Sequence, residues 1–333
     1  MLEALGHYRI LDRIGTGRIG ELYRARDTRL GRTVAIRVVA AEIADDPARR
    51  AQFLDDAREA AALSHPNIAT LYETGEDQGR LFLVFEFVPG ETLKRIIAGG
   101  RLHPRRAVDL AAQVAGGLAE AHAHGIVHRR ITSGDIIVTP KEKAKILDLG
   151  LAGWTSAADG REPSARPETA AYLAPEQARG ERGDHRSDTF ALGVVLFEML
   201  TGRVPFTATA AASLPIPPST VNRTVPLELD ALVTRALARS ADERYQSAAV
   251  VAAELRSIAA LLGARAQQSE SAGRPAATLA RPRPRSHVRW IVLAILAAAL
   301  AAMAWYGRNA LERLWRSAAA VSDVRTPRSV ATR

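Results

Sequence analysis

His128-Arg129-Arg130-Ile131-Thr132-Ser133-Gly134-Asp135 decides the fold of this 333-residue chain once the segments on either side are set in order. Upstream, Ile14-Gly15-Thr16-Gly17-Arg18-Ile19-Gly20-Glu21-Leu22-Tyr23 spaces three glycines as a tight hairpin does. Thr33-Val34-Ala35-Ile36-Arg37-Val38 is apolar and β-branched, which predicts a strand. An Ala-rich helical stretch then leads into Leu63-Ser64-His65-Pro66-Asn67-Ile68, and Leu81 to Val88 is a second apolar run. Downstream come Asp148-Leu149-Gly150, Ala174-Pro175-Glu176, the apolar stretch Thr189 to Leu200 opened by Asp188, and Glu243-Arg244-Tyr245.

In this order the segments resemble those of bacterial serine/threonine protein kinases of the membrane-anchored type, over residues 8–262. The glycine-spaced segment resembles the family's G-x-G-x-x-G-x-V loop, and Thr33 to Val38 its V-A-I-K strand. Asp148-Leu149-Gly150 stands for D-F-G, and Ala174-Pro175-Glu176 for A-P-E. The octapeptide stands for the catalytic loop, H-R-D-L-K-P-x-N. The resemblance implies an α+β, two-lobed protein-kinase fold. Its N-lobe, about residues 8–88, would be an antiparallel sheet plus the helix the family calls αC. The C-lobe, about 89–262, would be mainly helical.

The resemblance also implies a nucleotide site and shows where it is altered. Gly15, Gly17 and Gly20 would close over phosphates, Leu22 and Ala35 would line the adenine pocket, and Phe85 would be the gatekeeper before a hinge at Glu86 to Val88. Arg37 replaces the family's lysine. Counting back from His65 places Asp56 at its acidic partner, with Asp55 and Glu59 as neighbours, and an Arg37–Asp56 ion pair is expected. Asp148 keeps the metal position, and Asp135 puts a carboxylate where the family has an asparagine. Arg130 stands at the catalytic aspartate and Thr132 at the catalytic-loop lysine. A guanidinium does not accept a proton near neutral pH, so the base is missing. An internal Arg130–Asp148 or Arg130–Asp135 pair is expected to make the ion unnecessary. ATP and Mg²⁺ are the implied cofactors, and the altered residues leave their binding open.

Three further expectations follow from the resemblance. Glu176 with Arg244, and Asp188 beneath the catalytic loop, hold the C-lobe together. Thr155, Ser156, Ser164 and Thr169 fall in the activation loop, where another kinase could phosphorylate them and Arg129 could hold the phosphate. After Phe206 the prolines Pro215, Pro217 and Pro218 shorten the helix that helps dock protein substrates.

Charge separates the tail from the rest. Residues 264–333 carry 12 arginines and 3 acids, the whole of the net +9, while the remainder is balanced. A basic domain that seeks nucleic acid is therefore not indicated. With no cysteine, disulfides and thiolate zinc sites are excluded. Met1 to Arg9 is polar and does not read as a signal peptide. Trp290 to Tyr306 is 17 residues without a charge, about 25 Å of helix, with aromatic residues at both ends. It is predicted to be one transmembrane helix. Residues 263–289 then form a basic Pro/Arg-rich linker on anionic lipid, and 307–333 a short extracytoplasmic tail. The domain of a type that uses cytosolic ATP would face the cytoplasm at the cell inner membrane.

The reading is a membrane-tethered pseudokinase that scaffolds protein partners, an active kinase among them. The alternatives are a kinase of low or unconventional activity and a structural membrane subunit that binds no nucleotide.

Overall fold

The computed structural model describes residues 2–16, 19–151, 154, 167–206, 216–273 and 287–322. Met1–Gln268 and Ser269–Arg333 form separate compact units.

The first unit opens with β1 (Ala4–Leu5), β2 (Tyr8–Thr16), β3 (Gly20–Asp27) and β4 (Thr33–Val39). Helices α1 (Ala41–Ala44) and α2 (Pro47–Ala61) follow, then β5 (Leu71–Asp77) and β6 (Arg80–Glu86). The strands make one antiparallel sheet in the order β1-β2-β3-β4-β6-β5. Alternation along β4 sends Val34 and Ile36 to a core with Tyr8, Phe82 and Val84. It sends Ala35 and Val39 to the opposite face, against Phe53 and Ala57 of α2. Arg37 shares the parity of Ala35 and Val39, so period two alone aims it into the cleft beside α2. Helix α2 begins where Asp46 accepts from the Ala48 and Arg49 N–H groups and Pro47 fixes the first turn.

Below the sheet lie β7 (Glu91–Thr92), α3 (Leu93–Ala98), α4 (Pro104–Ala123), a 3-10 turn at Ser133–Asp135, β8 (Ile136–Val138) and β9 (Ala144–Ile146). Strands β7, β8 and β9 form a small antiparallel sheet. Next come α5 (Pro167–Ala170), α6 (Pro175–Ala178), α7 (His185–Thr201), α8 (Pro218–Val221), α9 (Leu227–Ala236) and α10 (Ala248–Gly273). Every residue of α7 from Ser187 to Leu200 is buried, so this helix is packed on all sides and forms the axis of the lower core. It stops at Gly202, whose φ of 79° suits glycine. The expected two-lobed protein-kinase fold is present.

Two boundaries differ from expectation. Helix α10 runs to Gly273, through residues expected to start a linker at 263. Alanine, arginine, glutamine and glutamate there favour helix, Arg265 pairs with Glu228, and the first proline is Pro275. In the second unit, α11 (His287–Ser322) outlasts the expected span. Its segment Trp290–Glu312 is the one helix among the described residues long and apolar enough to cross a membrane, at mean hydropathy 2.0.

Candidate nucleotide cleft and catalytic loop

A cleft of about 410 Å³, counting its open mouth, lies between the two sheets. Ile14, Leu22 and Ala35 form its roof, Phe85, Glu86, Phe87 and Val88 its back, and Ala69, Ile137 and Leu147 its floor. Arg37 and Asp148 close the inner end. An apolar slot with a few polar groups at one end suits a flat heterocycle carrying a polar tail. Lys145 on β9 donates to the Glu86 carboxylate at 2.7 Å and fixes the back of the slot.

The glycines of the roof have unequal roles. Gly20 has φ 146°, and a Cβ there would lie 1.7 Å from the Val38 carbonyl oxygen, so only glycine fits. A Cβ on Gly15 would meet nothing within 4 Å. Gly17 lies outside the described residues.

The inner end is wired differently from the expected arrangement. Arg37 does not pair with Asp56. Its Nη2 donates to Asp148 Oδ2 at 2.5 Å, with side-chain exposures of 7% and 19%. Asp56 Oδ2 instead accepts from the indole Nε1 of Trp154 at 2.7 Å. Trp154 stands edge-on to Phe53, centroids 5.4 Å apart, and Arg49 Nη2 donates to its carbonyl. An aspartate is one methylene shorter than the family's glutamate, and the indole takes the space before α2. Asp148 has φ 51°, a left-handed value rare for non-glycine residues, and its carboxylate meets the guanidinium from below. Trp154 was missed by sequence reading. Its signal was that no other tryptophan lies in residues 1–268.

The catalytic loop is held from beneath by Asp188, as expected. Its carboxylate accepts from the His128 N–H at 2.8 Å, the Arg129 N–H at 2.6 Å and His122 Nε2 at 2.8 Å. His128 Nε2 donates to the Leu147 carbonyl, leaving Nδ1 to accept from the Arg130 N–H at 3.3 Å. The Arg130 side chain is buried, yet among the described residues no ion pair joins it to Asp148 or Asp135. An internal cation does meet Asp148, but it is Arg37 from β4 and not the expected Arg130. Asp135 Oδ2 accepts from the Thr132 N–H at 2.9 Å and hydroxyl at 2.7 Å, a reciprocal cap on the 3-10 turn. Asp135 and Thr132 therefore hold each other across the turn.

The adenine end of the cleft fits a nucleotide. The metal end does not fit Mg²⁺ in this arrangement. Asp148 Oδ2 is paired with Arg37, and Asp135 Oδ2 is held by Thr132.

Next to the loop, Ser133 Oγ lies 3.0 Å from Tyr172 Oη, which donates to Glu198 Oε2 at 2.6 Å. Burial raises the Glu198 carboxyl above its ordinary value against these hydrogen bonds. A raised folded value means the neutral acid stabilises fully below the ordinary carboxyl range and loses that contribution as pH rises through the raised value. Glu198→Gln is expected to gain about 1 kcal/mol at pH 8 and to match the parent at pH 4 in denaturant unfolding. A variant weaker than the parent at pH 8 would mean the Tyr172 hydrogen bond to the charged carboxylate outweighs burial.

Residues 8–253 match the sequence profile described as "Protein kinase domain". The chain belongs to this family. Among curated relatives it is 40% identical over 263 residues to the serine/threonine-protein kinase PknB of Mycolicibacterium smegmatis, covering 74% of this chain and 42% of that protein. It is 36% identical over 260 residues to PrkC of Bacillus subtilis, covering 75% and 40%. The chain thus spans about two fifths of the length of these relatives. Among solved structures its fold resembles that of the PknI kinase domain of Mycobacterium tuberculosis, at 24% identity and TM-score 0.63. That match covers 77% of this chain and 99% of that one.

Other parts of the kinase frame are also in place. Arg244 donates from Nη1 and Nη2 to the two Glu176 oxygens, both at 2.7 Å, the expected pair. Burial, with nearby Arg182, holds Arg129 below the ordinary arginine value. Of the expected phosphorylation sites, Thr155, Ser156 and Ser164 lie outside the described residues, as does the segment 207–215. After it, α8 is only four residues long.

Proposed function

We propose that this chain is a pseudokinase of the serine/threonine kinase family, a kinase-shaped module that engages protein partners without transferring phosphate. One observation carries the reading: the position of the catalytic base is occupied by Arg130, a buried cation on the loop that Asp188 holds from beneath. The guanidinium has no basic lone pair at physiological pH. Thr132, tied into its own turn, brings no charge to the transferred phosphoryl group, and Arg37 is engaged with Asp148. Catalysis in this family is positioning and charge stabilisation, and three contributors to both are altered.

In this reading the adenine nucleotide is a ligand that sets the shape of the cleft. The partner is a protein, with an active serine/threonine kinase the favoured class because the activation-loop hydroxyls remain in the sequence. Helix α11 anchors the module in the cell inner membrane with the kinase domain on the cytoplasmic side. The arginines of residues 274–289 would favour anionic headgroups. The balanced charge of residues 1–263 supports no role with nucleic acid.

The test is radiolabelled phosphotransfer by the full chain in detergent, with Mg²⁺ and with Mn²⁺, on itself and on a generic basic protein. Incorporation should not exceed that of Asp148→Ala. Robust incorporation that vanishes in that variant overturns the proposal and makes the protein a kinase of unconventional chemistry.

A further inference from the structure

Three carboxylates stand near the inner end of the cleft, and each has a donor from the protein itself. Asp148 Oδ2 has Arg37 Nη2 at 2.5 Å, Asp135 Oδ2 has the Thr132 N–H and hydroxyl, and Asp56 Oδ2 has the Trp154 indole. Magnesium asks for near-octahedral oxygen ligands and gives up its water reluctantly. To reach Asp148 it would have to displace a guanidinium whose side chain is only 7% exposed and which carries the same sign of charge. Occupancy and repulsion thus both act against the ion at Asp148 Oδ2.

Arg37 also has capacity to spare. A guanidinium offers five N–H donors in a planar fork. One bond, to Asp148, is made, and Nε is buried with no hydrogen-bond partner among the described residues. The residue lines the cleft beside Leu22 and Ala35, within reach of whatever polar tail projects inward from the adenine slot. The fork matches a phosphate in two-point contact, which the family's lysine does not offer.

We propose that Arg37 is the resident cation of this site, so that the cleft takes an adenine nucleotide free of divalent metal, Arg37 bridging Asp148 and a phosphate oxygen. This rests on the reading of the cleft as a nucleotide site, and concerns only how its charge is balanced.

The charge balance gives a reversal of sign. In a metal-dependent kinase site Asp148→Asn removes a metal ligand and weakens nucleotide binding. Here the same change frees Arg37 from its counter-charge and strengthens binding in the absence of metal.

Calorimetric titration of the full chain in detergent with ATP, in EDTA and then in Mg²⁺, reads this directly. The two dissociation constants should agree within about threefold. Asp148→Asn should bind ATP in EDTA about tenfold tighter than the parent, and Arg37→Met about tenfold weaker or worse. Mn²⁺ alone, followed by its paramagnetic resonance, should bind Arg37→Met and not the parent, a readout that needs no nucleotide. A parent that requires Mg²⁺ for ATP, a parent that takes up Mn²⁺, or an Asp148→Asn variant with weakened metal-free binding would each overturn the proposal. So would the absence of ATP binding under both conditions, which would show that water rather than phosphate meets Arg37. That last result leaves the pseudokinase reading intact, because phosphotransfer decides it separately.

Discussion

Phosphotransfer by a combined Arg37→Lys, Arg130→Asp, Thr132→Lys and Asp135→Asn variant is expected to exceed the parent rate by a factor of about 10² to 10⁴, the range general-base assistance supplies. Arg130→Asp alone should stay at the parent level. Its new carboxylate would stand in a site where Arg37 still neutralises Asp148 and no cation replaces Thr132. The lower end of the range is expected for the combined variant, because Asp56 remains on the Trp154 indole rather than free to orient a lysine at position 37. Initial rates on a generic basic protein give the comparison. Full recovery by Arg130→Asp alone would show that the Arg37–Asp148 contact is no obstacle to chemistry.

Arg244→Met is expected to cost about 3–5 kcal/mol, lowering the melting temperature by about 10 °C. The Arg244 side chain is fully buried, and its donors also reach the carbonyls of Ala238 and Arg239 at 2.8 and 3.0 Å. Removing it strands the Glu176 carboxylate, which Ser187 alone would then serve at 2.8 Å. The loss should depend on pH. Burial pushes the Glu176 carboxyl up, but the hydrogen bonds from Arg244 and Ser187 outweigh it and hold the group below its ordinary value. A lowered folded value contributes stability above the ordinary carboxyl range that is lost as pH falls through the folded one. The gap between parent and variant should therefore narrow in acid. A constant gap between pH 7 and pH 3 would assign the cost to packing instead of charge.

Much of this architecture is legible in the residues themselves. The β-branched run Thr33 to Val38 and the alternation in Leu81 to Glu86 set two strands and the face on which Arg37 lies. The loop frame from His128 to Asp135 places Asp188 and Arg130 without any coordinates. What escapes is the choice of partner. The sequence reading pairs Arg37 with Asp56, but the actual partner depends on where α2 sits relative to β4 and on a left-handed turn at Asp148. Nothing in the identity of an aspartate demands that turn. Trp154 offered only its rarity as a signal, because an aromatic residue in a polar loop has no period to betray what it packs against. Helix α10 runs on into residues read as linker, because polar, helix-favouring residues read equally well as either until a distant partner, Glu228, fixes one of them.

The Arg37–Asp148 contact joins a strand of the upper sheet to the segment that follows the lower one, so it is also a clasp across the hinge. Enzymes of this shape work by breathing: the lobes part to release product and close on the next substrate. A clasp at that point would resist the parting of the lobes. Under the proposed pseudokinase reading, such a clasp would hold one outline for a partner protein to recognise.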